Sequence, residues 1–311
     1  MRKIIIFSIC TLLNVAVYGQ RGEVNVANLH LNIKGTYSSS VINGYVRDAA
    51  FYNDTCYLVS GDGKKILMTK SDGAAVTTNY FSSITFNEAL KVYADDAYVL
   101  VLDFDYLRYY TKKGVLKYSI PVATSDYWYG YFWVRSEREI MLVSNNSILV
   151  YDYSTRALLK SFTPSYKFTE NTNNFDRFVN DGQKLYDCGI KLVTYEYDSR
   201  FGIRVNDITT SKYTSLKKDN YLCYIGIDRE IKPLWFNYFN RSRAFFSNSS
   251  FDNVEYLGSF LPASKNPTSD DLYTESGNPN LKVFIGSSDE RISKIYVLNI
   301  SLNKAEFYML E

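Results

Sequence analysis

One unit recurs along this chain of 311 residues and leaves few folds open to it. The unit is an apolar strand, a tight polar turn and a second apolar strand. The turns are Asn53-Asp54, Asp95-Asp96, Glu137-Arg138, Asp181-Gly182, Asp228-Arg229 and Asn278-Pro279-Asn280. The segments after them begin near Thr55, Ala97, Glu139, Gln183, Glu230 and Leu281, so successive spacings are 42, 42, 44, 47 and 51 residues. Asn, Asp and Gly suit such turns because they tolerate positive φ and bond their own backbone. Each unit continues into a second hairpin. In the second unit Tyr98–Leu102 is followed by Tyr106–Tyr110, and Lys112-Lys113-Gly114 turns the chain into Val115–Tyr118. The third unit repeats this with Ile140–Val143, Ile148–Asp152 and Ala157–Phe162. The first matches with Lys65–Lys70, a Ser71-Asp72-Gly73 turn and Ala75–Tyr80.

Four short strands in each block of 40 to 50 residues is the pattern of a β-propeller blade. A lone blade cannot bury both of its faces, whereas a closed ring packs every sheet between two neighbours. The sequence therefore predicts an all-β, six-bladed β-propeller with four-stranded antiparallel blades, a single domain over residues 20–311. Seven blades is the alternative count. Two stacked β-sandwiches would not repeat the same order of turn and strand. Val24–Ile33 is left over and is expected to pair as an outer strand on the last blade. No segment sustains a helical period. Aromatic residues make up 16% of the chain, with 29 Tyr and 19 Phe, and broad rings favour pleated surfaces.

Residues 1–19 read as a secretory signal peptide. Arg2 and Lys3 precede the apolar stretch Ile4–Val17, and Val17-Tyr18-Gly19 offers a cleavage site before Gln20. The stretch is short for a bilayer span, which takes about 20 apolar residues. The expected address is extracytoplasmic (periplasmic, cell-surface or secreted), with no membrane span after cleavage. Arg2 and Lys3 are the only charges in this segment, so the chain from Gln20 onward carries 33 basic and 33 acidic residues. That balance gives no basic footprint for nucleic acid. Cys56, Cys188 and Cys223 remain after cleavage, an odd number set in apolar runs. They read as small buried hydrophobes, with a Cys188–Cys223 bridge open to an exported chain.

The signal peptide, the six degenerate units and strand-turn pairs such as Phe175-Asp176-Arg177-Phe178-Val179-Asn180-Asp181-Gly182-Gln183-Lys184-Leu185-Tyr186 resemble the exported TolB-like six-bladed propellers of Bacteroidetes-type bacteria. The resemblance covers about residues 22–311. It implies a fold and an envelope location, and it carries over no catalytic residue.

The residues offer little catalytic chemistry. His30 is the single histidine, which excludes mechanisms needing two, including most zinc sites. There is no P-loop and no G-x-S-x-G elbow, and no spacing selects a metal site. No cofactor and no catalytic residue is assigned. A glycosidase needs two carboxylates at a set distance; Asp103, Asp105, Glu196 and Asp198 are available, close to strand ends where turn-forming acids are common.

Two aromatic clusters supply the candidate ligand contacts. Tyr127-Trp128-Tyr129-Gly130-Tyr131-Phe132-Trp133 has six rings in seven positions. As a strand it would pack both faces against neighbouring blades, while Tyr127, Trp128 and Tyr129 at its leading end could stack on a ligand. The second cluster runs from Trp235 to Arg243, and its Arg241 and Arg243 could meet a carboxylate bidentately. The chain is thus read as a monomeric, non-enzymatic exported propeller binding a protein, peptide or glycan through Tyr127, Trp128, Tyr129, Trp235, Arg241 and Arg243. The rival is a carbohydrate-active hydrolase or lyase using Asp/Glu at the central channel.

Overall fold

The computed structural model describes residues 31–122, 131–135, 138–144, 147–163, 178–181, 183–189, 191–218, 220–227, 230–237, 244–248, 251, 254–258, 281–285, 295–301 and 303–310. Strand β1 (Leu31–Ser38) opens this part of the chain. The first sheet holds β2 (Val46–Tyr52), β3 (Thr55–Ser60) and β4 (Ile66–Lys70). The second holds β5 (Ala89–Ala94), β6 (Val99–Asp103), β7 (Tyr106–Tyr110) and β8 (Leu116–Pro121). The third holds β9 (Tyr131–Val134), β10 (Glu139–Ser144), β11 (Ser147–Asp152) and β12 (Leu158–Phe162). The fourth holds β13 (Phe178–Asn180), β14 (Lys184–Cys188), β15 (Leu192–Asp198) and β16 (Gly202–Asp207). Helix α1 (Ser211–Lys217) leads into the fifth: β17 (Asn220–Ile227), β18 (Glu230–Asn237), β19 (Ala244–Ser247) and β20 (Val254–Gly258). The sixth joins β21 (Leu281–Ile285), β22 (Ile295–Ser301) and β23 (Lys304–Leu310) to β1.

The first five sheets are antiparallel meanders and β1 completes the sixth; the first to the fifth face one another in chain order, and the sixth faces the first. The second strand of each shows why. In β6, Val99 and Val101 pack against Tyr57 and Val59 of the first sheet, while Leu100 and Leu102 pack against Phe132, Ile140 and Leu142 of the third. In β10, Ile140 and Leu142 face back to the second sheet, and Met141 and Val143 face forward to Leu185 and Val193 of the fourth. Side chains alternate across a strand, so a strand with both faces covered must be apolar throughout. This is why the runs after the turns lack the polar alternation of a half-exposed sheet. First strands approach first strands: β2 lies against β5 and β21, β5 against β9, and β13 against β17. The fourth strands β8, β12 and β16 are largely exposed, so they form the outer rim.

The turn chemistry is uniform. Asp95, Asp152, Asp181 and Asp198 each accept the backbone N–H groups two and three residues on. An aspartate at the first turn position closes the turn with its own side chain. Asp95 therefore occupies the N–H groups of Ala97 and Tyr98, and β6 starts at Val99 rather than at Ala97.

The expected closing strand is present but displaced: β1 runs Leu31–Ser38 and pairs antiparallel with β23 over Leu31↔Leu310 to Ser38↔Lys304. Residues 24–30 of the expected strand lie outside the described residues. Three expectations are corrected. The first sheet has three strands, since Ala75–Tyr80 makes one isolated bridge, Thr69↔Ala75. Asn79 turns that segment by accepting the Phe81 N–H at 3.1 Å, and Phe81 and Phe86 then fill the space between the first and second sheets. Leu281, expected to open the second strand of its unit, opens the first strand of its sheet, so the sixth unit is out of phase with the others.

The third correction is α1, two turns with no sustained helical pattern to announce them. Thr210 caps the helix by accepting the Tyr213 N–H at 3.0 Å. Tyr213 is fully buried and packs its ring on Trp235 and Phe251. The helix persists because it carries this one aromatic plug, since a helix this short has no stability of its own. The Tyr213 hydroxyl donates to the Gly189 carbonyl at 3.0 Å. Tyr213→Phe, which keeps the ring and deletes the bond, should cost about 1 kcal/mol in a denaturant titration; an unchanged midpoint would show that the hydroxyl contributes nothing.

Candidate functional site

The inner strands carry polar side chains that an all-apolar run would not contain. Asp48 on β2 is buried. Its Oδ2 accepts the Val92 N–H at 2.7 Å, and its Oδ1 accepts from Lys91 Nζ at 3.1 Å. Lys91 on β5 also sits over the Tyr131 ring, 5.0 Å from the centroid. The Tyr131 hydroxyl on β9 accepts from Asn180 Nδ2 on β13 at 2.7 Å. Asp48, Lys91, Tyr131 and Asn180 thus form one string across four consecutive sheets. Both β2 and β5 carry a register shift just before the polar residue, between Val46 and Asp48 and between Ala89 and Lys91. A bulge at the same place in successive strands turns both side chains the same way.

The electrostatics follow from burial. A buried charge needs a partner, and Asp48 has a cation and a backbone donor. Burial pushes the Tyr131 hydroxyl above its ordinary pKa, although Lys91 and Asn180 pull it back. Beside the string, Arg47 Nη1 meets Glu88 Oε1 at 2.8 Å, with the two side chains 10% and 25% exposed. Lys91, at 23% side-chain exposure, is the most open charged member of the string.

A second polar cluster ties the second sheet to the third. Asp95 Oδ2 accepts from the Tyr153 hydroxyl at 2.7 Å and from Arg138 Nη1 at 3.0 Å, and the Arg138 guanidinium lies 3.9 Å from the Tyr153 ring centroid. Arg138 has a φ of +61°, a left-handed conformation that disfavours arginine; the ion pair and the ring hold it there. Burial, then the Asp95 bond, raise the Tyr153 pKa far above the usual phenol range. At the next interface Arg135 bonds Glu139 at 2.5 Å and Gln183 at 3.2 Å.

The sequence-derived contacts divide between described and undescribed residues. Tyr127, Trp128, Tyr129, Arg241 and Arg243 lie outside the described residues, as do His30 and the side chain of Cys223. Trp235 is 0% exposed in the core, with its indole N–H donating to Ser247 Oγ at 3.0 Å; packing accounts for it, and it presents no surface to a ligand. Tyr131 and Trp133 pack toward the fourth sheet and Phe132 toward the second, so both faces of this strand are covered as expected. Cys56 and Cys188 are buried, and burial raises the Cys56 thiol well above its ordinary pKa.

The carboxylates considered for catalysis are spread out. Asp103, fully buried at the end of β6, accepts the Glu88 N–H at 2.8 Å and lies 3.3 Å from Arg108 Nε. Glu196 on β15 faces Lys184 of β14 at 3.6 Å, and Asp198 closes the next turn. Among the described residues, no group of three His, Cys, Asp or Glu side chains could hold a metal ion.

Sequence reasoning missed Asp48, Lys91, Asn180 and the Asp95–Arg138–Tyr153 cluster as sites. A signal was present: Asp48 to Lys91 and Asp95 to Arg138 are both separations of 43 residues, one repeat, so charges recur in phase with the units and are complementary.

No protein-family model matches the sequence, and a comparison with curated proteins finds no relative. Solved structures do match. A Bacteroides fragilis protein described as exported aligns over 94% of this chain and 97% of its own, at 10% identity and a TM-score of 0.52. The WD40 domain of Neurospora crassa Pan2 aligns over 90% and 95%, at 10% identity and a TM-score of 0.50. A streptogramin B lyase aligns over 91% and 98%, also at 10% identity and 0.50. At such identities the likeness speaks for architecture alone, and it agrees with the order of the sheets: the chain has the all-β propeller fold, with antiparallel blades that are four-stranded except for the three-stranded first sheet.

Proposed function

We propose that the chain is an exported, non-enzymatic propeller of six blades that binds a protein, peptide or glycan partner, as a monomer, through loops on one face. The observation that carries this reading is the string Asp48–Lys91–Tyr131–Asn180, which links the inner strands of four consecutive sheets. Tyr127, Trp128 and Tyr129 immediately precede Tyr131 in the chain, so stacking rings and polar anchors share one neighbourhood in this proposal. Rings supply contact area at low entropic cost, and a rigid scaffold spares the cost of ordering. The buried carboxylates Asp48, Asp95 and Asp103 are engaged by donors of the chain itself, which suits structure and positioning more than proton transfer. An extracytoplasmic address rests on the leader-like residues 1–19. Among the described residues no helix is long and apolar enough to cross a membrane.

The test is a glycan and peptide array probed with the chain from Gln20. Joint replacement of Tyr127, Trp128 and Tyr129 by Ala should abolish binding of the strongest hit and leave thermal melting unchanged. Unimpaired binding would reject the placement. Turnover of a glycosidic substrate that Asp103→Asn or Glu196→Gln removes would reject the non-enzymatic reading.

A further inference from the structure

The hairpin of β15 and β16 projects a side chain that the fold has no use for. Phe201, at its tip, is 66% exposed, more than any other large apolar residue described. Two guanidiniums flank its ring: Arg200 at 5.2 Å and Arg204 at 5.1 Å from the centroid. A third cation comes from the neighbouring sheet, since a Cβ on Gly202 would lie 3.6 Å from Lys160 Cε and 4.0 Å from its Nζ. Two carboxylates lie near the tip: Asp198 is occupied by the turn, accepting the Arg200 N–H at 2.8 Å and the Phe201 N–H at 3.2 Å and meeting the Arg200 guanidinium at 3.4 Å, and Glu196, across from Arg204 in the register, meets a fourth cation, Lys184, at 3.6 Å. The tip therefore keeps an excess of positive charge around an exposed ring, in a chain that is otherwise balanced.

The tip is also built in one shape. Asp198 locks the turn, Gly202 takes a φ of +81° that L side chains avoid, and β15 pairs β16 from Val193↔Asp207 to Asp198↔Gly202. Pre-organisation of this kind lowers the ordering cost of binding. Aromatic and arginine side chains together form the composition of protein-interface anchors, and guanidiniums favour carboxylates through paired hydrogen bonds.

We propose that the β15–β16 tip is a docking knob for an acidic segment of a partner protein, with Phe201 as the apolar anchor and Arg200, Arg204 and Lys160 as its cationic rim. A protein is favoured over a small acidic sugar because the feature is convex, and a knob is complemented by a partner's surface, whereas a small sugar needs a concavity. The proposal deepens the binding-module reading but uses residues far in sequence from Tyr127–Tyr129, so the two can fail separately.

The experiment uses the whole chain and a short synthetic peptide of alternating glutamate with leucine and phenylalanine, followed by fluorescence anisotropy. The same peptide with lysine for glutamate is the control. Binding should appear for the acidic peptide, weaken at high salt, and fall about tenfold or more in Phe201→Ala and in Arg204→Ala, with melting curves unchanged because both side chains are at the surface. The Tyr127/Trp128/Tyr129 replacement should leave this binding intact. Absence of binding to the acidic peptide, equal binding of the lysine peptide, or binding indifferent to Phe201→Ala would overturn the proposal. So would competition by polygalacturonate that outlasts Phe201→Ala, which would point to an acidic glycan instead.

Discussion

Asp95→Ala is expected to cost about 3 kcal/mol, mostly from leaving the buried Tyr153 hydroxyl unsatisfied and the turn uncapped, since Arg138 is 45% exposed and its ion pair adds little. Four interactions end at this carboxylate. Its Oδ1 closes the turn through the N–H groups of Ala97 and Tyr98, and its Oδ2 receives the Tyr153 hydroxyl and the Arg138 guanidinium from the next sheet. Alanine leaves the tyrosine hydroxyl buried without its acceptor and Arg138 in a left-handed backbone without its restraint. Domains hold about 5–15 kcal/mol in all, so the variant should melt roughly 10 °C lower. Asp95→Asn keeps an oxygen for the turn but sets an NH2 donor against the Tyr153 hydroxyl and the Arg138 guanidinium that donate to Oδ2, so it should fall between wild type and alanine. If both variants melt with wild type, the cluster does not hold these two sheets together.

The second large effect is on the alkaline side. Burial raises the hydroxyls of Tyr57 and Tyr93 to about 12, and pushes Tyr109, Tyr153 and Tyr186 higher still. An unfolded tyrosine loses its proton near pH 10. Above that pH the unfolded chain holds fewer protons than the folded one, so stability falls as pH rises. A shift of one unit corresponds to about 1.4 kcal/mol, and roughly half of that survives where ring edges meet water. Five such groups over two units then remove on the order of 7 kcal/mol by pH 12. Lys112 acts in the opposite sense at lower pH. Its Nζ lies 3.9 Å above the Tyr52 ring, and burial lowers its pKa to about 8. Between about pH 8 and 10.4 the unfolded lysine holds the extra proton, so this group adds stability as pH rises. The expected profile in a denaturant series is level or slightly rising to about pH 10 and steeply falling beyond it, with tyrosinate absorbance at the same midpoint. Tyrosines that titrate near pH 10 before unfolding would contradict it.

Much of the architecture was legible because it depends on local rules repeated many times. Turn aspartates that bond their own backbone marked the hairpins, and runs such as Val99–Asp103 announced strands covered on both faces. The failures have physical causes. The fourth strand of the first unit was read from residues with adequate strand propensity, but Asn79 offered the backbone a competing turn. Helix α1 was invisible because two turns carry too few residues for a period to register, and one buried tyrosine holds it.

The candidate site divides along the same line. The repeated turn-strand unit pointed to antiparallel sheets stacked on one another, since strands apolar on both sides need cover on both faces and no segment sustained a helical period to supply it. Only the tertiary structure decided which charges meet. Asp48 and Lys91 look like misplaced polar residues until two bulged strands bring them to 3.1 Å, and Phe201 looks like core until its hairpin is seen to point outward. A residue's type sets what it can bond. Where it finds that bond, across 43 residues of chain, depends on how neighbouring sheets are placed.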